Sequence, residues 1–259
     1  ASSAESYLNI DAVIKAAIEV EADAIHPGYG FLSENKDLAE ACAANKIIFV
    51  GPGEEHLDAV GDKLKARTHA LAAGMPVVPG GEVSDDEQAK KLAEETGYPV
   101  LLKAVSGGGG RGMKIVSDPE LLIDTLHLAA SEAQAAFADS RIYLERYVAA
   151  GRHVEIQILA DGENVIHLGT RDCSIQRRYQ KLVEEAPAPD ISDELRTQMQ
   201  DAAVNFASYL KYRSLGTIEL LMDCERNTFY FLEMNARIQV EHPVTEAICG
   251  LDLVEEQIA

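Results

Sequence analysis

Residues 107–110 are four glycines in a row, set in the stretch Ser106-Gly107-Gly108-Gly109-Gly110-Arg111-Gly112. Apolar segments close in on both sides, Val100-Leu101-Leu102 before it and Met113-Lys114-Ile115-Val116 after it. A linker between domains has no need of a strand at each end. The reading is therefore a hairpin whose tip lacks Cβ atoms, so that backbone N–H groups can lie along an anion. Lys103 and Arg111 flank that tip, and Lys63 adds a further point charge for the same anion. The run is not a phosphate loop of the Walker type, because Met113 and Lys114 follow where Lys and Ser/Thr belong and no helix begins there. A glycine lid over a nucleotide's phosphates fits instead.

Composition limits what else the chain can do. It has 23 Lys and Arg against 43 Asp and Glu, a formal charge of −20. That field opposes nucleic-acid binding, which draws its affinity from clustered cations on phosphates. No apolar run approaches the roughly 20 residues needed to span a bilayer, so no membrane role is expected. Cys42, Cys173, Cys224 and Cys249 are far apart, with no C-x-x-C pair and no secretory leader at Ala1, which points to a reducing, cytoplasmic setting. The seven histidines show no short ligand spacing, so no structural zinc is expected.

The fold class read from the pattern is α/β. A helix over 5–21, a strand over 22–25, a helix over 35–44 and a buried strand over 47–50 follow one another with short links, as in an open α/β sheet. A helix over 62–73 leads into the Pro/Gly-rich link 74–81. Beyond it come an acidic helix (86–96), a strand (99–104), the glycine run, a strand (113–116), an alanine-rich helix (119–138) and a strand (141–147). The last region reads as mostly antiparallel, with strands over 153–160, 164–171, 216–222 and 228–234 around one helix at 192–211. The organisation expected is a first domain with linker helix (1–76), a lid subdomain (77–147) and a third region (148–259).

Two further groups of residues carry chemistry. If the turn of the last hairpin centres near Glu225, Glu219 falls opposite Glu233. Each glutamate interrupts an apolar strand, so part of its surroundings is buried and the pair needs a cation. Mg²⁺ suits hard oxygen donors together with substrate phosphates, and Asn235 offers a third oxygen on the same face. Directly afterwards, Arg237, Gln239 and Glu241 alternate along an extended segment. Arg presents a fork to a small planar oxyanion, Gln adds a donor, and Glu can take a proton from the bound group.

These residues, with His26-Pro27-Gly28-Tyr29-Gly30-Phe31-Leu32-Ser33-Glu34-Asn35, Gly61-Asp62-Lys63, Arg152-His153-Val154-Glu155, Arg171-Asp172-Cys173-Ser174, Gln176-Arg177-Arg178-Tyr179-Gln180-Lys181 and Glu184-Glu185-Ala186-Pro187, resemble biotin carboxylase over essentially the whole chain. The resemblance implies an ATP-grasp fold: a remnant of a Rossmann-like N-terminal domain, a small glycine-lid subdomain and a mostly antiparallel C-terminal region. It implies a ligase in which bicarbonate attacks the γ-phosphate of MgATP to give carboxyphosphate, whose CO₂ carboxylates N1′ of biotin on a carrier protein. By the same resemblance Lys63, Lys103 and His153 contact ATP, with Gln176 on the nucleotide side. Gly108, Gly109, Gly110, Arg111, Gly112 and Met113 cover its phosphates, and Glu145, Arg146 and Val148 form the adenine hinge. Glu219, Glu233 and Asn235 hold Mg²⁺ (or Mn²⁺). Lys181, Arg237, Gln239, Val240 and Glu241 bind bicarbonate, with Glu241 as the base.

The resemblance further implies a biotin carboxyl carrier protein or domain and a carboxyltransferase as partners, in a homo-oligomer. Two departures stand out: Tyr179 where many members have His, a variant shared with some acyl-CoA carboxylase α subunits, and Ala236 where Thr is common. The family also has a strand and glycine-rich turn before the segment matching Ala1 and a sheet with a further catalytic Arg after Ala259. The expectation is thus the middle of a longer enzyme. Two other readings use the same residues: another ATP-grasp ligase of the carbamoyl-phosphate or amino-acid type, and a non-catalytic nucleotide-binding module.

Overall fold

A computed structural model of the chain describes residues 2–106, 112–178 and 180–259. Most of the glycine tip (residues 107–111) and Tyr179 lie outside them, so the expectations for Gly108, Gly109, Gly110 and Arg111 do too. Among the described residues no helix is long and apolar enough to cross a membrane.

The first segment runs α1 (Ile10–Glu19), β1 (Ala24–Ile25), α2 (Lys36–Ala44) and β2 (Ile48–Phe49). The two short strands pair in parallel, Ala24 with Ile48, over a core of Ile14, Ala17, Leu38, Cys42 and Ile47. The helix expected over 5–21 is shorter at both ends. Asn9 caps it by accepting from the Ala12 N–H, and Ser3–Glu5 forms a separate 3₁₀ turn. Helix α3 (Glu54–Gly61) has no counterpart in the sequence reading, because Leu57 and Val60 are too few to set up a period. It ends where Asp62 caps α4 (Lys63–Ala72), its carboxylate accepting from the Leu64 and Lys65 N–H groups. Lys63 is thereby fixed in the first turn of α4.

The link 74–81 turns out to hold strand structure. Residues 80–83 form β3 (Gly80–Val83), which joins β6 (Ile142–Arg146), β4 (Val100–Ala104) and β5 (Met113–Val116) in an antiparallel sheet of order β3-β6-β4-β5. Gly80 is required there, since a Cβ would meet the carbonyl of Leu144 on the facing strand. Helices α5 (Asp86–Thr96) and α6 (Leu122–Phe137) cover this sheet around Val100, Leu102, Leu144, Ala89 and Leu126. β4 and β5 form the hairpin that carries the glycine tip, with Lys103 opposite Met113.

The largest sheet has the order β11-β10-β7-β8-β9. Its strands are β7 (Gly151–Asp161), β8 (Val165–Arg177), β9 (Gln180–Glu185), β10 (Arg213–Asp223) and β11 (Thr228–Asn235). α7 (Asp193–Tyr209) lies against β7 and β8, burying Met199 and Phe206 on Ile156, Ile158 and Ile218. Phe206 meets Phe231 edge to face at 5.2 Å. The small sheet is tied to this one by its entry link, whose Pro76 carbonyl accepts from the Phe231 N–H at 2.7 Å. β9 was not visible in the sequence, nor were α8 (His242–Cys249) and α9 (Leu253–Ile258), which end the chain.

Candidate active site

The last hairpin places Glu219 of β10 opposite Glu233 of β11, as counting back from its turn predicts. Asn235 closes the group: its Nδ2 donates to Glu219 Oε1 at 3.0 Å. Glu219 and Asn235 are buried. Burial and the neighbouring Glu219 carboxylate push the Glu233 carboxyl above its usual range, with Lys63 and Lys181 opposing. Two carboxylates side by side in low dielectric, plus an amide oxygen two residues on, form a donor set of hard oxygens. That chemistry fits a small divalent cation such as Mg²⁺.

Lys181, which enters from β9, links this group to its neighbours. Its Nζ donates to Glu155 Oε2 (2.6 Å), Glu219 Oε1 (2.9 Å) and Glu241 Oε1 (2.7 Å). Burial works against its charge, but the carboxylates of Glu155 and Glu219 more than reverse that, holding the ammonium above the ordinary lysine range. The reciprocal effect appears on Glu241. There burial raises the carboxyl, and the hydrogen bond and charge of Lys181 outweigh it, leaving Glu241 below its usual range.

Behind these groups lies Arg171 of β8, one of the largest fully buried side chains. Its Nε donates to Glu155 Oε1 (2.5 Å). Nη1 donates to Gln157 Oε1 and to Thr245 Oγ1 (both 2.7 Å), and Nη2 to Gln239 Oε1 (2.9 Å) and Thr217 Oγ1 (3.4 Å). One guanidinium thus fastens β7, β10, the segment after β11 and α8 to one another.

The expected alternation of Arg237, Gln239 and Glu241 needs correction. Glu241 has φ −81° and ψ 3° and is the N-cap residue of α8, so the segment turns before reaching it. The three side chains nevertheless belong to one polar group. Gln239 is buried, with Nε2 3.2 Å from Glu219 Oε1. Arg237 donates from Nη2 to Asn235 Oδ1 (2.8 Å) and from Nε to Glu34 Oε2 (2.9 Å). Val240, expected in the same pocket, is 61% exposed.

The residues expected on the nucleotide side fall into two places. Burial lowers the imidazole of His153 of β7 below the usual histidine range, against the opposing charge of Glu219. Gln176 lies 3.1 Å from His153 Nδ1 through the same Nε2 that donates to the Cys173 carbonyl. Nδ1 is therefore the acceptor, and the proton sits on Nε2. In the small sheet, Lys103 of β4 forms an ion pair with Glu145 of β6, which is buried. Arg146 is fixed by its backbone N–H to Pro79 and its Nε to the Thr96 carbonyl, and Val148 follows half-buried. Met113 begins β5, and the carbonyl of Gly112 just before it accepts from the Ala104 N–H.

Glu34, Glu155, Arg171 and Glu184 entered the sequence reading only within longer motifs. Arg171 and Glu155 did carry a signal of their own, a charge within otherwise apolar or small-residue strands. Glu34 carried none.

Residues 62–259 match the family described as the carbamoyl-phosphate synthase L chain, ATP binding domain, and residues 1–57 match the biotin carboxylase N-terminal domain. The chain is 52% identical over 260 residues to a biotin carboxylase of Nostoc sp., covering 99% of this chain and 58% of that protein. It superposes with TM-score 0.92 at 49% identity on the Campylobacter jejuni biotin carboxylase solved as a β-γ-ATP complex, covering 100% of this chain and 58% of that one. The biotin carboxylase domain of Hydrogenobacter thermophilus 2-oxoglutarate carboxylase, solved with MgADP, ADP and bicarbonate, matches with TM-score 0.88 at 48% identity, over 97% of this chain and 56% of that one. The chain spans little more than half the length of these relatives.

Proposed function

Because the chain belongs to the biotin carboxylase family and has its ATP-grasp fold, we propose that it carries the nucleotide and bicarbonate sites of an enzyme that carboxylates biotin on a carrier protein. The observation that carries this reading is Lys181, whose one ammonium joins the metal-type carboxylate Glu219 to the base candidate Glu241. Nucleotide and anion sites that share a lysine bring a phosphoryl group and bicarbonate into reach of each other.

Bound MgATP supplies the phosphoryl group that activates bicarbonate. Glu219, Glu233 and Asn235 would hold the Mg²⁺ (or Mn²⁺), while Lys63, Lys103 and His153 would bind the phosphates. Gly108, Gly109, Gly110, Arg111, Gly112 and Met113 would cover them and exclude water. Glu145, Arg146, Val148 and Gln176 complete the nucleotide side. The Arg237 fork, Gln239 Nε2, Lys181 and the backbone at Val240 bind bicarbonate. Glu241 accepts its proton. Any anion that draws a proton of Lys181 toward itself weakens the 2.7 Å bond to Glu241, so substrate binding itself raises the basicity of Glu241.

This reading includes the biotin carboxyl carrier protein or domain and the carboxyltransferase as partners, and assembly as a homo-oligomer. Cys42, Cys173, Cys224 and Cys249 are all free, which supports a reducing compartment such as the cytoplasm. The match of residues 1–57 to the biotin carboxylase N-terminal domain favours this ligase over a carbamoyl-phosphate-type one. The test is ATP cleavage by the full-length enzyme. It should require bicarbonate and rise with free biotin, and Glu241→Gln should abolish it while MgATP binding persists. Normal turnover in that variant would refute the role of Glu241, and turnover indifferent to biotin would return the case to another ATP-grasp ligase.

A further inference from the structure

One carboxyl group in the polar cluster has no part in this scheme. Glu184 of β9 lies with Glu155 and Glu241 so that one oxygen of each falls within 4.8 Å of the others. Both Glu184 oxygens are buried, and among the described residues neither has a hydrogen-bond partner. The reason is visible in the donor count. An ammonium has three protons, and those of Lys181 go to Glu155, Glu219 and Glu241. A guanidinium has five, and those of Arg171 go to Glu155, Gln157, Thr245, Thr217 and Gln239. Neither cation has a donor left for a further carboxylate.

We propose that Glu184 is a positioning residue of the bicarbonate site, standing beside Glu241 as a neutral acid, and that its ionisation closes the site to the anion. This rests on the assignment of bicarbonate to Arg237, Gln239 and Lys181. A carboxyl without donors in a buried place settles into its uncharged form. In that form it carries an O–H for the carboxylates of Glu155 and Glu241, and it adds no charge to a pocket that must accept an anion. Its ionised form would set a further negative charge beside Glu155 and Glu241, whose charge Lys181 and Arg171 already offset.

The charged groups around Glu184 are Glu155 from β7, Arg171 from β8, Lys181 from β9 and Glu241 from the turn before α8. Burial, then Glu155 and Glu241 working against Lys181 and Arg171, pushes the Glu184 carboxyl up to about 8. The site is thus open below that pH and closes above it. For a single proton, the KM for bicarbonate rises about tenfold per pH unit once past the transition.

The experiment is steady-state ATP cleavage by the full-length enzyme between pH 6.5 and roughly 9.5, a range bracketing the transition, with the bicarbonate species itself varied and MgATP saturating. Wild type should show the rise in bicarbonate KM. Glu184→Gln, neutral at every pH, should flatten it, while the KM for MgATP follows the same course in both. Glu184→Met fills similar space without polar atoms and should flatten it too, which covers the case of an amide that finds no partner. A bicarbonate KM that climbs equally in wild type and variants overturns the proposal and leaves the site assignment standing. A wild type whose ATP cleavage ignores bicarbonate at every pH overturns the site assignment and the proposal together.

Thermal unfolding gives a second readout that needs no turnover. A carboxyl raised in the fold contributes stability that is complete below its unfolded value and lost as pH climbs to the folded one. Wild type should lose ground to Glu184→Gln between about pH 5 and pH 8, and parallel curves would overturn the proposal.

Discussion

Arg171 donates from Nη2 to Gln239 Oε1 at 2.9 Å, and that bond decides which end of the Gln239 amide faces the site. A guanidinium has donors only, so the amide oxygen must point toward it and the amide nitrogen toward Glu219, 3.2 Å away. Under the proposed function, Gln239 is thus a fixed donor to the bicarbonate bound near Arg237 and Lys181. Gln239→Glu keeps the partner of Arg171 and loses that donor. The expected result is a bicarbonate KM raised by about tenfold or more, the worth of one hydrogen bond to a charged group, with the MgATP KM little changed. Steady-state kinetics with each substrate varied in turn checks it.

Lys181 bonds three carboxylates at 2.9 Å or less. Lys181→Met removes their shared counter-charge and leaves like charges facing each other in a partly buried place. Loss of about 3 kcal/mol of stability is expected, seen as a lower midpoint in urea unfolding, together with loss of bicarbonate-dependent turnover. An unchanged midpoint would mean that the three carboxylates are balanced elsewhere.

On the proposed reading, Glu219 and Glu233 would hold the cation as a pair. Glu219→Gln combined with Glu233→Gln should weaken MgADP binding by about tenfold or more, taking the usual scale for loss of metal-site groups. Binding of ADP in the presence of a chelator should change far less. Calorimetric titration under both conditions separates loss of metal from damage to the nucleotide pocket.

In the small sheet, Glu145 anchors Lys103 beside the glycine hairpin. Glu145→Gln frees the lysine. The MgATP KM should rise several-fold, roughly the worth of one hydrogen bond, and the bicarbonate KM should hold. A shift in the bicarbonate KM alone would place Lys103 with the other substrate.

Local signals in the sequence reached some features and not others. The β4–β5 hairpin was legible because apolar strands flank the glycines at short range. The pairing of Glu219 with Glu233 followed from counting residues about a turn. β9 was invisible, since Gln180-Lys181-Leu182-Val183-Glu184-Glu185 has no period of two, and its Leu182 and Val183 are exposed. It folds straight back on β8, Arg177 opposite Gln180, without any period of its own to announce it, and that placement brings both Lys181 and Glu184 to the site. The turn before α8 was misread as extended because Arg237, Gln239 and Glu241 do alternate in sequence, and only the cap geometry shows where the chain bends. Glu34 was beyond reach for a different reason: it meets Arg237 across a separation of 203 residues, and no local pattern encodes that.

That same contact makes the opening segment a working wall of the pocket. Glu34 grips Arg237 Nε with one oxygen and the Ala236 N–H with the other, although the two ends of this clamp belong to separately matched regions, 1–57 and 62–259. A protein trimmed to begin at Asp62 would keep every metal-type residue and every residue that touches Lys181. It would lose the restraint that Glu34 places on Arg237, the residue proposed to grip the anion, so modules swapped among relatives at that seam would have to travel with a matching glutamate.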